Sequence, residues 1–413
     1  MTHGLRADAL AARERLAALG WIAKKAESFR HLPPPAAQAW LGDGPAAEPG
    51  EGPRTQSAAA AAAAVPDDGW RVALLGDTPA AAVEARWFDA ADAAERAELL
   101  AALPDPGGDE AAPFAWAHRA LLRGGLRLRL GAGPSFVRLD RAPLAPAEAP
   151  LLLLELAPGA HCVLLESHQL GAPVAQNLQL HVRLAAGARL QHLRHVPAGR
   201  SDRIAHHLHI RLDEDAQYAQ ALLATGSDYH LQRSRVELNG ARAAARVHGV
   251  LLTAGSTLQQ QVESQHAAAH THSGAEVLAL ASGNARVVAS ALTHIAPGCE
   301  DADARQKLAG IPTAGQPRIV LLPHLRIHHD QVQAAHGATW GALPEDALFF
   351  ARQRGLDEAA AKALILQGLA HAALARSVDD DALPEGLSLE AALHDAVAAH
   401  LGAAAPAKEA GHG

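Results

Sequence analysis

Histidine is the side chain with which this sequence is best equipped for chemistry. There are 25 histidines in 413 residues, and a neutral imidazole is a ligand of intermediate softness that suits iron, zinc and copper. Three groupings have informative spacing. In His206-His207-Leu208-His209, the pair His207 and His209 falls on one face of a strand pattern, a spacing that can hold a metal. No acidic or cysteine partner sits at a matching offset, so the expected role of that face is a solvated polar one. His266, His270 and His272 form a second group, in which His270 and His272 are expected to share a strand face in the same bland role. The third lies in Leu321–Leu356, which holds His324, His328, His329 and His336 beside Asp330. Its carboxylate and imidazoles are the best metal-binding set in the chain, and taken alone they allow a metal-dependent enzyme built on His328, His329, Asp330 and His336.

Other chemistries are excluded or thinly supported. There is no GxxxxGK[ST], GxSxG or HExxH. Gly131-Ala132-Gly133 starts like a dinucleotide fingerprint, but Phe136 stands where its third glycine belongs. Cys162 and Cys299 are too few for a disulfide framework or a four-cysteine cluster site, and read as small core residues in a reducing compartment. A formal charge of −8 with no basic cluster argues against a nucleic-acid groove. The N-terminal stretch is charged and lacks an apolar h-region, and no run approaches twenty uncharged apolar residues, so the chain is expected to be soluble and cytoplasmic.

The elements that must position these residues change texture twice. Leu5 to Leu19 has helical spacing with Gly20 as its stop, and Ala90–Leu103 and Phe114–Leu122 read as further helices. The tract from about Gly42 to Asp68, rich in proline, glycine and alanine, reads as a flexible loop. From Gly125 the period is two: Leu126, Leu128 and Leu130 alternate with Arg127 and Arg129, and short strands with small-residue corners recur for some two hundred residues. Such a series fits a β-sandwich, the commoner architecture, or a β-solenoid. Ile319, Leu321, Leu325 and Ile327 read as the last strands, and His336-Gly337-Ala338-Thr339 as a turn. Pro344-Glu345-Asp346 then opens a helix, and two more follow, with Asp357 as an N-cap and Leu364 on the apolar side. The expected division is 1–124, mostly helical; 125–340, β; and 341–413, helical.

Around that third group the sequence resembles the SufB/SufD family of iron–sulfur cluster assembly proteins. The family pattern is like LEIxADDVxCSHGATxG, then an acidic pair and FYLxSRGI. This chain has Asp330, Val332, His336-Gly337-Ala338-Thr339, Gly341, Glu345, Phe349-Phe350, Arg354, Gly355 and Leu356 at matching places. Weaker matches are Gly20–Leu32, Val262–Ser273 and Gln306-Lys307-Leu308. The chain departs from the pattern at Arg326, His329, Gln331, Ala334 and Ala335; Ala334 replaces the pattern's cysteine. The resemblance implies a mainly β fold, a right-handed parallel β-helix flanked by N-terminal and C-terminal helical domains. It implies a non-catalytic scaffold subunit that pairs with SufB through the β-helix, or with itself when alone, and docks the SufC ATPase through the C-terminal helices. It implies that His336 contributes to a transient iron or iron–sulfur site shared with SufB, with no tightly bound cofactor in the isolated chain. It also implies that Pro344, Glu345, Phe349, Phe350 and Arg354 face the ATPase. A purely structural adapter is the remaining alternative.

Overall fold

A computed structural model describes residues 6–42, 54–57, 69–376 and 387–404. The proline-, glycine- and alanine-rich tract expected to be a loop lies mostly outside these residues; its described part is a short strand, Arg54–Ser57, antiparallel to Val83–Asp89.

The strands form two sheets, one of eleven strands and one of nine, and from Leu151–Leu156 onward successive strands are dealt to them alternately. Arg203–Leu212, for example, lies parallel between Ala175–Leu184 and Tyr229–Leu238, while the intervening strand Gln217–Thr225 belongs to the opposite sheet. A chain that always pairs with the strand two places back winds as a β-solenoid, not a sandwich of hairpins. Among the described strands, antiparallel ladders occur only in the first layers, among Arg54–Ser57, Trp70–Leu74, Val83–Asp89 and their partners, and one isolated antiparallel bridge joins Ser227 and Thr257.

The winding explains how a chain with few aromatics fills a core. In-register stacking turns one inward position per coil into a continuous ladder, such as Leu130, Leu156, Leu184, Leu212 and Leu238, all buried. Burying each such side chain contributes roughly 1.5–3 kcal/mol. The corners stack too. Gly159, Gly187, Asp215, Arg242, His270 and Asp301 all have left-handed backbone, and each donates its N–H to a carbonyl of the next corner, as Gly187 does to Glu214 at 2.8 Å and Asp301 to Gln331 at 2.9 Å.

Helices cover the outer faces. The N-terminal helix Ala7–Leu19 and the helix Ala112–Leu121 lie over the first sheet, where Leu16, Phe29, Trp40 and Phe114 pack on Ala205, Tyr229 and Leu231. The C-terminal helices Glu358–Ala375 and Glu390–Ala404 lie over the second, with Leu366, Ala370, Leu393 and Val397 against Leu193, Leu223, Val250 and Leu252. Asp357 does cap its helix, accepting from the Ala360 N–H at 2.7 Å. Leu364, expected on the buried side, is exposed, because the stripe that meets the sheet runs through Ala361, Leu366, Ala370, Ala373 and Leu374.

The last coil corrects the sequence reading. His336–Thr339 is no turn: it lies inside the strand Val332–Trp340, parallel to Ala302–Gly315, with His336 opposite Gln306. Small residues there resemble a corner, but the ladder to the preceding coil keeps them extended. Ile319, Leu321, Leu325 and Ile327 belong to one strand, Arg318–Ile327, with one more strand after it.

Candidate functional site

The final two strands form the open end of the solenoid. Inward-pointing residues of Arg318–Ile327 continue the interior columns: Ile319 follows Val287, Leu321 follows Ala289, and Ile327 follows Ile295. In Val332–Trp340, Ala334 follows Ala304, His336 follows Gln306, and Trp340 follows Gly310. No further strand is paired beyond either one among the described residues. Core-type positions are therefore left half-covered or open: Ile327 is 41% exposed and Trp340 68%. His336 is thus an interior-facing residue of a layer that no further strand among the described residues covers. Such an end combines unpaired backbone edges with apolar surface, a pairing that calls for a partner.

The other members of the expected histidine set do not converge on His336. His328 packs edge-on against His294, with ring centroids 5.1 Å apart. His324 and Asp330 are exposed, and His329 is half-buried. Among the described residues, His328, His329, Asp330 and His336 do not assemble into a metal-ligating group; the set that does is Glu166, His168 and His206, with ligating atoms all within 4.8 Å of one another. The chain lays the first four along two strands and their connection, where an extended backbone spreads them.

Beyond the open end, Pro344 leads into the helix Glu345–Gln353, which carries Glu345 and Asp346 in its first turn. Phe349 and Phe350 are 59% and 57% exposed, with ring centroids 6.0 Å apart. Neither is core. Glu345 and Arg354 are exposed with them. This aromatic face is the second unpartnered apolar feature of the C-terminal third.

The interior holds a polar group that sequence reasoning missed. Glu166 and Arg194 are register partners on neighbouring parallel strands, Ala160–His168 and Arg189–Val196. Arg194 grips both carboxylate oxygens, Nε to Oε2 at 2.9 Å and Nη2 to Oε1 at 2.8 Å. His168 donates to Oε1 at 2.6 Å and His192 to Oε2 at 2.9 Å. Burial alone would raise the Glu166 carboxyl, but Arg194 and the two imidazole hydrogen bonds overcome it and hold the group well below the ordinary carboxylate range. From the facing sheet His206 donates to Gln176 at 2.6 Å and meets Arg194 through its other nitrogen at 3.3 Å. With a guanidinium on both oxygens of Glu166, this cluster is an ion-pair network within the core. Its sequence signal was polar residues recurring at inward positions of period-two strands, at 166, 168, 192, 194 and 206.

The first two histidine groups also differ from expectation. His206 points inward, and His207 and His209 point outward, yet His207 is buried beneath the helix Ala112–Leu121 and is not a solvated residue. His266 is buried and bonded to Thr271 Oγ1 and Ser273 Oγ, both at 2.7 Å, which ties a corner to its strand. His270 occupies that corner with a φ of 58°, so it shares no strand face with His272. Both thiols are buried: Cys162 sits in the solenoid core, where burial pushes it up to about 12, and Cys299 donates to the His266 carbonyl at 3.2 Å.

Comparison with known proteins gives a consistent picture. The family described as SUF system FeS cluster assembly, SufBD core domain, matches residues 142–369. The iron–sulfur cluster assembly protein SufD of Escherichia coli (strain K12) is 23% identical over 239 residues, which is 56% of this chain and 55% of that protein. The similarity thus spans about half the length of the curated relative. No helix among the described residues is long and apolar enough to cross a membrane.

Proposed function

The chain belongs to the SufB/SufD family of iron–sulfur cluster assembly proteins, and from that premise we propose that it is a non-catalytic scaffold subunit whose open solenoid end is completed by SufB. The observation that carries this is the uncovered interior column at that end, with Ile327, His336 and Trp340 where the next coil would sit. A second solenoid abutting there extends both sheets and buries the apolar residues. The same end accepts a second copy of this chain when SufB is absent. His336 then stands at the joint, where it shares nascent iron or a transient cluster with a thiolate of SufB. Ala334 brings no sulfur from this side, so this chain contributes nitrogen alone. Imidazole in place of a thiolate gives a site that releases its cargo more readily. The exposed face of Pro344, Glu345, Phe349, Phe350 and Arg354 docks the SufC ATPase, since adjacent aromatics of this kind are typical interface anchors. ATP is hydrolysed there and not by this chain, which works in the cytoplasm.

Two substitutions separate docking from ligation. Trp340→Asp places a charge in the joint and should weaken association with SufB by roughly 30-fold, the scale of a lost interface anchor. His336→Ala should leave the complex assembled while cluster formation in anaerobic reconstitution drops on the order of tenfold. Unaltered cluster formation by the His336→Ala complex would leave a purely structural adapter as the reading.

A further inference from the structure

The C-terminal helices pack on the outer face of the second sheet at Leu193 and Ala221 and beyond. Before those positions, no helical residue lines the face, and its strands form a groove of about 420 Å³. Register places the groove's charges. Arg246 and Arg305 lie in one row with Gly274 between them and Ala219 on the other side of Arg246. Arg189 lies in the row before, on the strand that pairs with Ala219's. Arginine thus falls on alternate strands, at intervals of about 10 Å across the sheet, because neighbouring strands are about 4.8 Å apart. The slots between these arms are shallow: a Cβ on Gly274 would meet nothing closer than Arg246 Cγ at 3.8 Å. Residues 189, 246 and 305 are brought together only by the winding, so the sequence shows no basic cluster.

Two of the three guanidinium groups are unengaged. Arg305 is turned onto Asp303, with Nε 3.1 Å from Oδ1. The side chains of Arg189 and Arg246 are exposed and have no hydrogen-bond or ion-pair partner among the described residues. Glu276, in the following row, is held by Lys307 at 3.2 Å and Arg376 at 2.9 Å. The groove therefore sets three arginines against one carboxylate, Asp303, in a chain with a formal charge of −8.

The spacing selects a ligand. A guanidinium fork recognises a carboxylate or a phosphate. Groups that answer arms about 10 Å apart must repeat at that interval. A polyproline-type segment points every third side chain the same way at about 9.3 Å, whereas the groups of a short polyphosphate lie much closer together. Such a segment is also extended before it binds and loses little entropy on docking. No exposed tryptophan, tyrosine or phenylalanine lines the groove, Tyr218 being 1% exposed, so a nucleic-acid base finds no such stacking platform. We infer that this groove docks an acidic, proline-rich extended segment of a partner protein, with carboxylates at every third residue seated on Arg189 and Arg246.

The test is fluorescence anisotropy of a labelled peptide of three Glu-Pro-Pro repeats, titrated with the full-length chain. Binding should saturate and weaken as salt is raised. A peptide of the same composition with its glutamates adjacent should bind at least about fivefold more weakly. Arg189→Ala combined with Arg246→Ala should weaken binding of the repeat peptide by at least about tenfold and leave the urea midpoint unchanged. Gly274→Glu, which puts a carboxylate in the slot and keeps every arginine, should weaken it similarly. No saturable binding to the native chain, or unchanged affinity in either variant, would overturn the proposal. So would tighter binding of inorganic tripolyphosphate or of a single-stranded oligonucleotide, since the groove would then serve phosphate.

Discussion

At the scale of single residues, this protein keeps an uncommon number of imidazoles away from water. Burial lowers His118, His209, His266 and His400 to about 4 and His230 to about 3. Each is neutral when folded and titrates near 6.5 when unfolded. The stability they contribute is complete above the unfolded value and is lost as pH falls from about 6.5 toward the folded values. At fully buried His118 the shift alone corresponds to about 3 kcal/mol. Glu166 acts in the same direction at lower pH, because a depressed carboxyl stabilises above its unfolded pKa and ceases to do so as pH drops through its folded one. The urea midpoint should therefore fall steeply between about pH 6.5 and about pH 4. A midpoint that stays level across that window would show that the imidazoles titrate as if exposed. Little of this was visible in the sequence. His207 and His209 were correctly placed on one strand face, but nothing local reveals that a helix ninety residues earlier covers it. Glu166 and Arg194 are 28 residues apart and meet only because one coil has that length.

At the scale of elements, the corner column explains why alternation was legible and winding was not. Period-two strands announce themselves through Leu126, Leu128 and Leu130. The coil repeat is carried by left-handed corners 27 to 31 residues apart, occupied by Gly159, Gly187, Asp215, Arg242, His270 and Asp301. Four of these six are not glycine, so no glycine period exists to be read. The corner backbone is imposed by the ladder of N–H bonds between coils, a long-range cause. The same cause keeps His336–Thr339 extended, where small residues suggested a turn. Glycines in the corner regions should differ in tolerance. Gly187 has a φ of 67° and open space where a methyl group would go, so Gly187→Ala should lose about 1 kcal/mol from backbone strain. At Gly240 the added Cβ would lie 2.0 Å from the Glu214 backbone nitrogen, so Gly240→Ala should lose several times more. Equal losses in denaturant unfolding would contradict the close stacking of these corners.

At the scale of the whole molecule, the two helical layers sit on opposite sheets, and the C-terminal layer is tied to the sheet that ends in Val332–Trp340. His400 bonds Thr313 Oγ1 at 2.7 Å, His248 meets the Ala373 carbonyl at 3.3 Å, and Arg376 bonds Glu276 at 2.9 Å. Displacement of those helices by a docked ATPase would thus bear on the strands that lead to His336. The resemblance at residues 321–356 indicated the solenoid and its helical flanks. What it could not supply was the reason for His336 being accessible, which is that no further strand among the described residues covers its layer. The most direct test of this account is amide hydrogen exchange of the chain with and without SufB. Strong protection confined to 318–340, the two edge strands and their connection, is the expected result. A complex that forms while those amides exchange as fast as in the free chain would place the joint elsewhere and contradict it.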